Sequence, residues 1–330
     1  MFKSFGRWVA AGVVCSLLGA GGLASVSDAA LAQAQLQEMK ITAPAAAGGG
    51  WDSTARALQQ AMTEAGVVTS VQVVNVPGAA GTVGLAQFVN EARGRGDQLL
   101  VSGFVMVGGI LTNGSPVTLD QVTPIARLTG EPLVIVVPKD SPIQSVQDLS
   151  AAIKQDVASA TWAGGSAGGA DHILAGLFTQ AAGGDASKVN YVAFSGGGEA
   201  LAAMLGGRVT AGVSGYSEFE GQIQSGELRA LAISTAERLP NVDVPTLKEQ
   251  GVDIDMVNWR GVMAGPDLSD EDKQKLSAVV DATVKSPQWQ ELLKARGWTD
   301  FYQPADEFAG FLKEENTRIE GILKTIGLVQ

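Results

Sequence analysis

The stretch "TAPAAAGGGWDSTARALQQAM", Thr42–Met62, decides the fold. A short apolar run, "MKIT", leads into it and stops at three consecutive glycines. A helical pattern opens directly after them: Ala55, Leu58, Met62 and Ala65 recur at the spacing of one helix face from about Ser53 onward. Strand, glycines, helix is the first part of a βαβ unit, and the order recurs. Val71–Val76 reads as a strand, "PGAAGT" as a turn, and Leu85, Phe88, Val89 and Ala92 as the face of a second helix. "ATWAGGSAGGADHILAGLF" (Ala160–Phe178) and "VNYVAFSGGGEALAAMLGG" (Val189–Gly207) repeat the design, the latter with Gly206 and Gly207 as a helix stop. "QLLVSG", "PLVIVVP" (Pro132–Pro138), Arg208–Val213 and Leu228–Ser234 read as further strands. The expected class is α/β with largely parallel sheets, in two similar lobes. The tail is expected to be helical. Ser269 with Asp272 three residues on reads as a capping box, and Pro287 and Pro304 suit first-turn positions of two more helices.

The chain has 330 residues, enough for two domains with substantial cores. Its start reads separately. Lys3 and Arg7 precede an uncharged run from Trp8 to Ser27, followed by the small-residue sites Ala30-Leu31-Ala32 and Ala32-Gln33-Ala34. This is the pattern of a secretory signal peptide, here residues 1–34, cleaved near Ala32 or Ala34 and exporting the protein. A permanent anchor of similar length is the competing reading. Cys15 lies inside this segment without a lipobox, so the mature chain is expected to have no disulfide or thiol chemistry. Removing Lys3, Arg7 and Asp28 leaves 21 basic and 33 acidic residues, a net charge of −12. That balance argues against nucleic-acid binding.

Four loops share one grammar: 48–52 (GGGWD), 78–82 (GAAGT), 164–169 (GGSAGG) and 195–199 (SGGGE). Each joins a strand to a helix N-terminus, where unpaired N–H groups and the helix dipole attract anions. Glycine lets a ligand approach that backbone, and such loops line the crevice at the strand ends of open α/β sheets. The loops can therefore hold a carboxylate without a charged side chain; the competing reading is four tight turns.

Other chemistries fit less well. Gly78–Gly84 reads GxxGxxG, not the dinucleotide fingerprint. Gly164–Gly169 has the frame of a phosphate loop, but Ala170-Asp171 replaces its Lys-Ser/Thr pair. "GGSAG" places Ser166 as in a hydrolase nucleophile elbow, which would make the chain a secreted serine hydrolase. The one histidine, His172, follows only six residues on, whereas a hydrolase histidine lies far downstream. His172 cannot build a metal site alone, and no cofactor is expected. It is read as a polar residue in a first helix turn near the cleft. Asp52 and Arg56 are expected to pair across one turn, with Asp52 and Asp171 as caps and Glu199 as a cap or a solvent-facing residue. Trp51 is either cleft wall or core. Arg260 either neutralises a carboxylate or forms a surface salt bridge.

Taken in order, "APAAAGGGWDSTAR", "VPGAAGTVG", "AGGSAGGADHILAGLF", "YVAFSGGGEALAAMLGGRVTAGVSGY", "LRALAISTAERLPNVDVPTLKEQG" and "NWRGVMAGP" span nearly all of the mature chain. Together they resemble the substrate-binding proteins of tripartite tricarboxylate transporters, the TctC or Bug-type receptors. The resemblance implies a type II periplasmic-binding-protein fold, two α/β lobes around a ligand cleft, without catalysis. Lobe one would combine 36–137 with 258–330 and lobe two would be 138–257. It implies a small carboxylate ligand, citrate or another tricarboxylate first, a different di- or aromatic carboxylate second, delivered to membrane transporter subunits by a monomer. A receptor serving a sensor is the further alternative. By position, Gly49, Gly50, Trp51, Asp52 and Ser53 match the first binding loop, and Gly78, Ala79, Gly81 and Thr82 the second. Ser102 and Gly103 match a third strand end. Gly165, Ser166, Asp171 and His172 would face them from the other lobe with Ser195, Gly196, Gly197 and Tyr216. Many relatives carry prolines where this chain has Ala45–Ala47, and an arginine where Val76 stands.

Overall fold

Each glycine loop sits where a strand hands over to a helix. The structure, a computed structural model, describes residues 36–194, 197–239 and 242–330. The expected leader and its cleavage sites, and Ser195 and Gly196 of the fourth loop, lie outside the described residues.

In chain order the elements are β1 (Leu36–Ala43), α1 (Gly50–Glu64), β2 (Val68–Asn75), α2 (Thr82–Glu91), β3 (Gln98–Gly103), α3 (Phe104–Asn113) and β4 (Thr123–Pro138). There follow α4 (Val146–Gln155), β5 (Thr161–Gly164), α5 (Ala170–Ala181), β6 (Asn190–Ala193), α6 (Gly197–Leu205), β7 (Ala211–Gly215), α7 (Tyr216–Gln224) and β8 (Leu228–Ile233). The chain closes with β9 (Val257–Ala264), α8 (Asp270–Val284), α9 (Pro287–Ala295), β10 (Thr299–Pro304) and α10 (Ala305–Thr325).

The strands run in the order β2-β1-β3-β9-β4-β7-β5-β6, with β10 and β8 also paired to β4. Pairing is mixed, which corrects the expectation of largely parallel sheets. β1 lies parallel to β2 and β3, and β5 parallel to β6 and β7, as βαβ crossovers require. Every partner of β4 is antiparallel, because β7, β8, β9 and β10 return to it from the far side of the chain. β4 serves both halves of the sheet: Thr123–Pro132 pair with β9, and Leu133–Pro138 with β7 and β8. The run is buried almost end to end, matching its apolar sequence.

Ser269 caps α8 by accepting from Asp272 N at 3.1 Å, and Pro287 occupies the first turn of α9, both as expected. Pro304 instead closes β10 and flanks α10, and the strand read over Arg208–Val213 begins only at Ala211. α1 starts at Gly50, three residues ahead of the expected Ser53. On α10, Phe308, Ile319 and Leu323 are buried, and the core continues into the second half where Ile326 packs against Gly176 of α5. Among the described residues no helix is long and apolar enough to cross a membrane.

Candidate ligand-binding cavity

A cavity of about 400 Å³ lies between the two sheet halves, bounded by all four glycine loops. The first half supplies Pro44, Ala45, Gly49, Gly50, Trp51, the Pro77–Gly81 turn, Val105 and Asn113, together with Asn258 and Arg260 of β9. The second half supplies Gly165, Ser166, Ala170, Asp171, Phe194, Gly197, Glu199, Ser214 and Glu218. The halves touch beside it: a Cβ on Gly108 of α3 would collide with the carbonyl oxygen of Gly168.

The second loop is the most constrained. Gly78 and Gly81 stand at φ 136° and 90°, and Ala79 and Ala80 between them at φ 45° and 53°. Left-handed alanines cost free energy and persist where the surroundings fix them. Here a Cβ on Gly81 would come within 2.7 Å of the Trp51 ring, and Asn113 donates to the Ala79 carbonyl at 3.3 Å. Trp51 is 8 % exposed, serving as cavity wall and core together. Thr82 turns away, donating back to the Ala79 carbonyl.

In the first loop Asp52 does not line the cavity. Its carboxylate accepts from Gly48 N at 2.8 Å, Arg56 Nε at 2.9 Å and Asn75 Nδ2 at 2.9 Å. Burial alone would raise this carboxyl; the bonds from Arg56, Gly48 and Asn75 outweigh it and hold it below its ordinary range. Asp52 therefore pins the loop to β2, and α1 begins after Gly49 without a side-chain cap. Ser53, Ser102, Gly103 and Tyr216 also lie off the wall. Ser53 N closes the first turn on Gly49 O, Ser102 is fully buried in β3, Gly103 packs against the Trp259 carbonyl, and Tyr216 packs in the apolar core of the second half.

The third loop is arranged differently. Asp171 Oδ2 accepts from Gly165 N at 2.7 Å and the residue lines the cavity. Burial, reinforced by the charges of Glu218 and Glu131, pushes its carboxyl up to about 7, against the bond from Gly165. His172 lies behind it, off the wall. Its ring stacks on Tyr191 at 4.0 Å, its Nδ1 accepts from Gly168 N at 3.2 Å, and burial lowers it to about 4. Tyr191 donates to the Gly165 carbonyl at 2.9 Å, so this loop is held from both sides. Ser166 is on the wall, but its would-be base is stacked and engaged elsewhere.

Charged residues at the junction of the halves complete the site; Glu131 and Glu218 are the two with no signal read from the sequence. Arg260 is 3 % exposed and pairs with buried Glu131 of β4, whose other oxygen accepts from Ser217. A buried ion pair replaces the surface salt bridge considered for Arg260. Gly50 and Gly215 give it room, since a Cβ on either would strike the pair. Arg260 Nη1 is buried without a hydrogen-bond partner. Glu218 accepts from Ser214 and abuts Gly197, the first residue of α6. Burial and the nearby Glu131 charge raise its carboxyl. Glu199 is exposed on the wall. A lone glutamate entering an apolar run, as in "GEPLVIVVP", was the available signal for Glu131.

The profile described as "Tripartite tricarboxylate transporter family receptor" matches residues 54–328. The chain is 27 % identical over 294 residues to the protein BugT of Bordetella pertussis, covering 88 % of this chain and 89 % of that one. Among solved structures it is similar to a TctC solute-binding protein from Polaromonas, at 26 % identity and TM-score 0.65, covering 87 % and 98 % of the two chains. It is similar in fold to MatC of Rhodopseudomonas palustris with bound malate, at 24 % identity and TM-score 0.76, covering 88 % and 99 %.

Proposed function

We propose, from the premise that this chain belongs to the tripartite tricarboxylate transporter receptor family, that it is an exported receptor for a small carboxylate. It captures the ligand in the cavity between two lobes, 36–137 with 258–330 and 138–257, and hands it as a monomer to membrane transporter subunits. It performs no chemistry on the ligand.

The observation that carries this reading is the first-half wall of the cavity. Gly49, Gly50 and Gly78–Gly81 line it at two helix starts, and among the described residues no acidic side chain of that half does. Main-chain N–H groups at such ends favour an anion. The malate bound to MatC is a ligand of the same class. The β4 crossing and the return through β9 are the natural hinge segments, because each is shared between or leads out of one half.

The test is a thermal-shift panel on mature protein refolded to remove carried ligand. It holds citrate, tricarballylate, malate, succinate, adipate, glutamate and terephthalate. A ligand at a hundred times its dissociation constant adds about 2.7 kcal/mol of stability. A shift with one or more of these carboxylates supports the receptor reading, and a shift confined to citrate and tricarballylate gives the tricarboxylate class. No shift with any carboxylate overturns it. Turnover of esters lost in Ser166→Ala would support the hydrolase instead.

A further inference from the structure

The cavity is electrostatically two-ended. Every acidic side chain on its wall among the described residues (Asp171, Glu199 and Glu218) comes from the second half. The one basic side chain on the wall among the described residues, Arg260, is already paired with Glu131. Asp171 and Glu218 also occupy the positions that would make the third and fourth loops anion sites: Asp171 takes the Gly165 N–H, and Glu218 sits against Gly197 at the start of α6. The third loop's N–H is thus taken by the chain's own carboxylate, and a second carboxylate sits at the start of α6. A ligand with anionic groups at both ends would press one of them against this wall. Meanwhile Arg260 Nη1, buried and unpartnered on a residue of the same wall, points to an anionic partner at the junction.

We propose that the ligand carries a cationic nitrogen as well as a carboxylate: the nitrogen sits against Glu218 and Asp171, and the carboxylate lies toward the first two glycine loops and Arg260. The inference rests on the receptor reading and narrows its ligand class from polycarboxylates to amino-carboxylates. It also accounts for a cost built into the cavity wall. Burial pushes both carboxyls upward, with the Glu131 charge adding to both and the Glu218 charge to Asp171; the other groups facing them are Arg260, Ser214 and Gly165 N. A ligand cation would relieve that repulsion, and Asp171 would release its proton on binding.

Calorimetric titration of refolded mature protein with matched pairs tests this: L-aspartate against succinate, L-glutamate against glutarate, and 4-aminobutyrate against butyrate. In at least one pair the amine-bearing member is expected to bind at least tenfold more tightly. Glu218→Gln is expected to abolish that preference, and Asp171→Asn to reduce it, with both variants retaining cooperative melting. Both substitutions are near-isosteric, so one serves if the other fails to fold. Equal or tighter binding of the amine-free member in every pair would overturn the inference and leave the receptor reading standing. So would an amine preference untouched in both variants. Binding of no member of any pair would overturn the amino-carboxylate class, and together with a flat carboxylate panel it would end the receptor reading too.

Discussion

Asp52 and Asp171 both stand in the first turn of a helix that follows a glycine loop, both are buried, and their surroundings drive them in opposite directions. Asp52 has three donors, one of them the Arg56 guanidinium, and stays a carboxylate behind the loop. Asp171 accepts from Gly165 N, with Glu218 and Glu131 near enough to repel it, and it faces the cavity. The same residue type in the same loop grammar is structural in one half and electrostatically loaded in the other. Donor count and neighbouring charge decide which, and motif reading sees neither.

The hardest way to break this contrast is at the junction. Arg260→Ala leaves Glu131 buried without its cation and is expected to cost about 3–5 kcal/mol, read from the urea midpoint. Replacing both partners with apolar residues of similar volume is expected to cost far less. If the single and double variants lose the same stability, the pair is not what holds the two halves' charges in check.

The second prediction separates the two aspartates by pH. Asp171 ionises near 3.8 in the unfolded chain and near 7 in the fold. Its contribution to stability is thus complete below about pH 4 and is lost as pH rises through about 7. His172 has the opposite sign: its ordinary value of 6.5 falls to about 4, so its contribution grows between those values and is constant above them. Above pH 6.5 only Asp171 of these two still changes. Asp171→Asn is expected to remove the decline and to be about 2–4 kcal/mol more stable than the parent at pH 8. Asp52→Asn is expected to be destabilising at the same pH, because its carboxyl is lowered. Equal behaviour of the two variants across pH 5–8 would erase the contrast.

Gly81→Ala tests the rigid half. The position combines φ 90° with a Cβ contact of 2.7 Å to Trp51, and a loss of about 1–3 kcal/mol is expected in thermal unfolding. Smallest is Arg56→Ala. The Arg56 side chain is 50 % exposed, so despite a 2.9 Å bond the pair is expected to contribute only about 0.5 kcal/mol, with Gly48 and Asn75 still holding Asp52.

Local structure was legible where an apolar period met a glycine stop, which is why the four strand–loop–helix units stand close to where the sequence puts them. Three features were not. β9 inserts between β3 and β4 through pairings such as Leu100 with Met263, and such distant partners leave no local pattern. α3 is apolar nearly all round, from Phe104 to Ile110, so it has no periodic face to read. β10 is short and half exposed, and Pro304 at its end resembles a helix start. The site divides in the same way. Glycines lining the wall were readable from loop grammar, whereas Asp171, expected as a cap, instead ties the loop through Gly165 N and faces the cavity, and α5 begins after Gly169 without a side-chain cap. Glu218 against Gly197, and Arg260 with Glu131, join residues far apart in sequence and become visible only when the sheet is closed.

The place of β9 in the sheet also sets an order of events during folding. Until the segment Val257–Ala264 arrives, β3 and the first part of β4 have no strand between them, and the edge of each that faces β9 is open. The half that begins the chain is thus completed only by a late segment, a long-range closure that slows folding and leaves the edges exposed to wrong partners. A chain truncated before Val257 should therefore remain aggregation-prone even though β1–β3, α1 and α2 are all present.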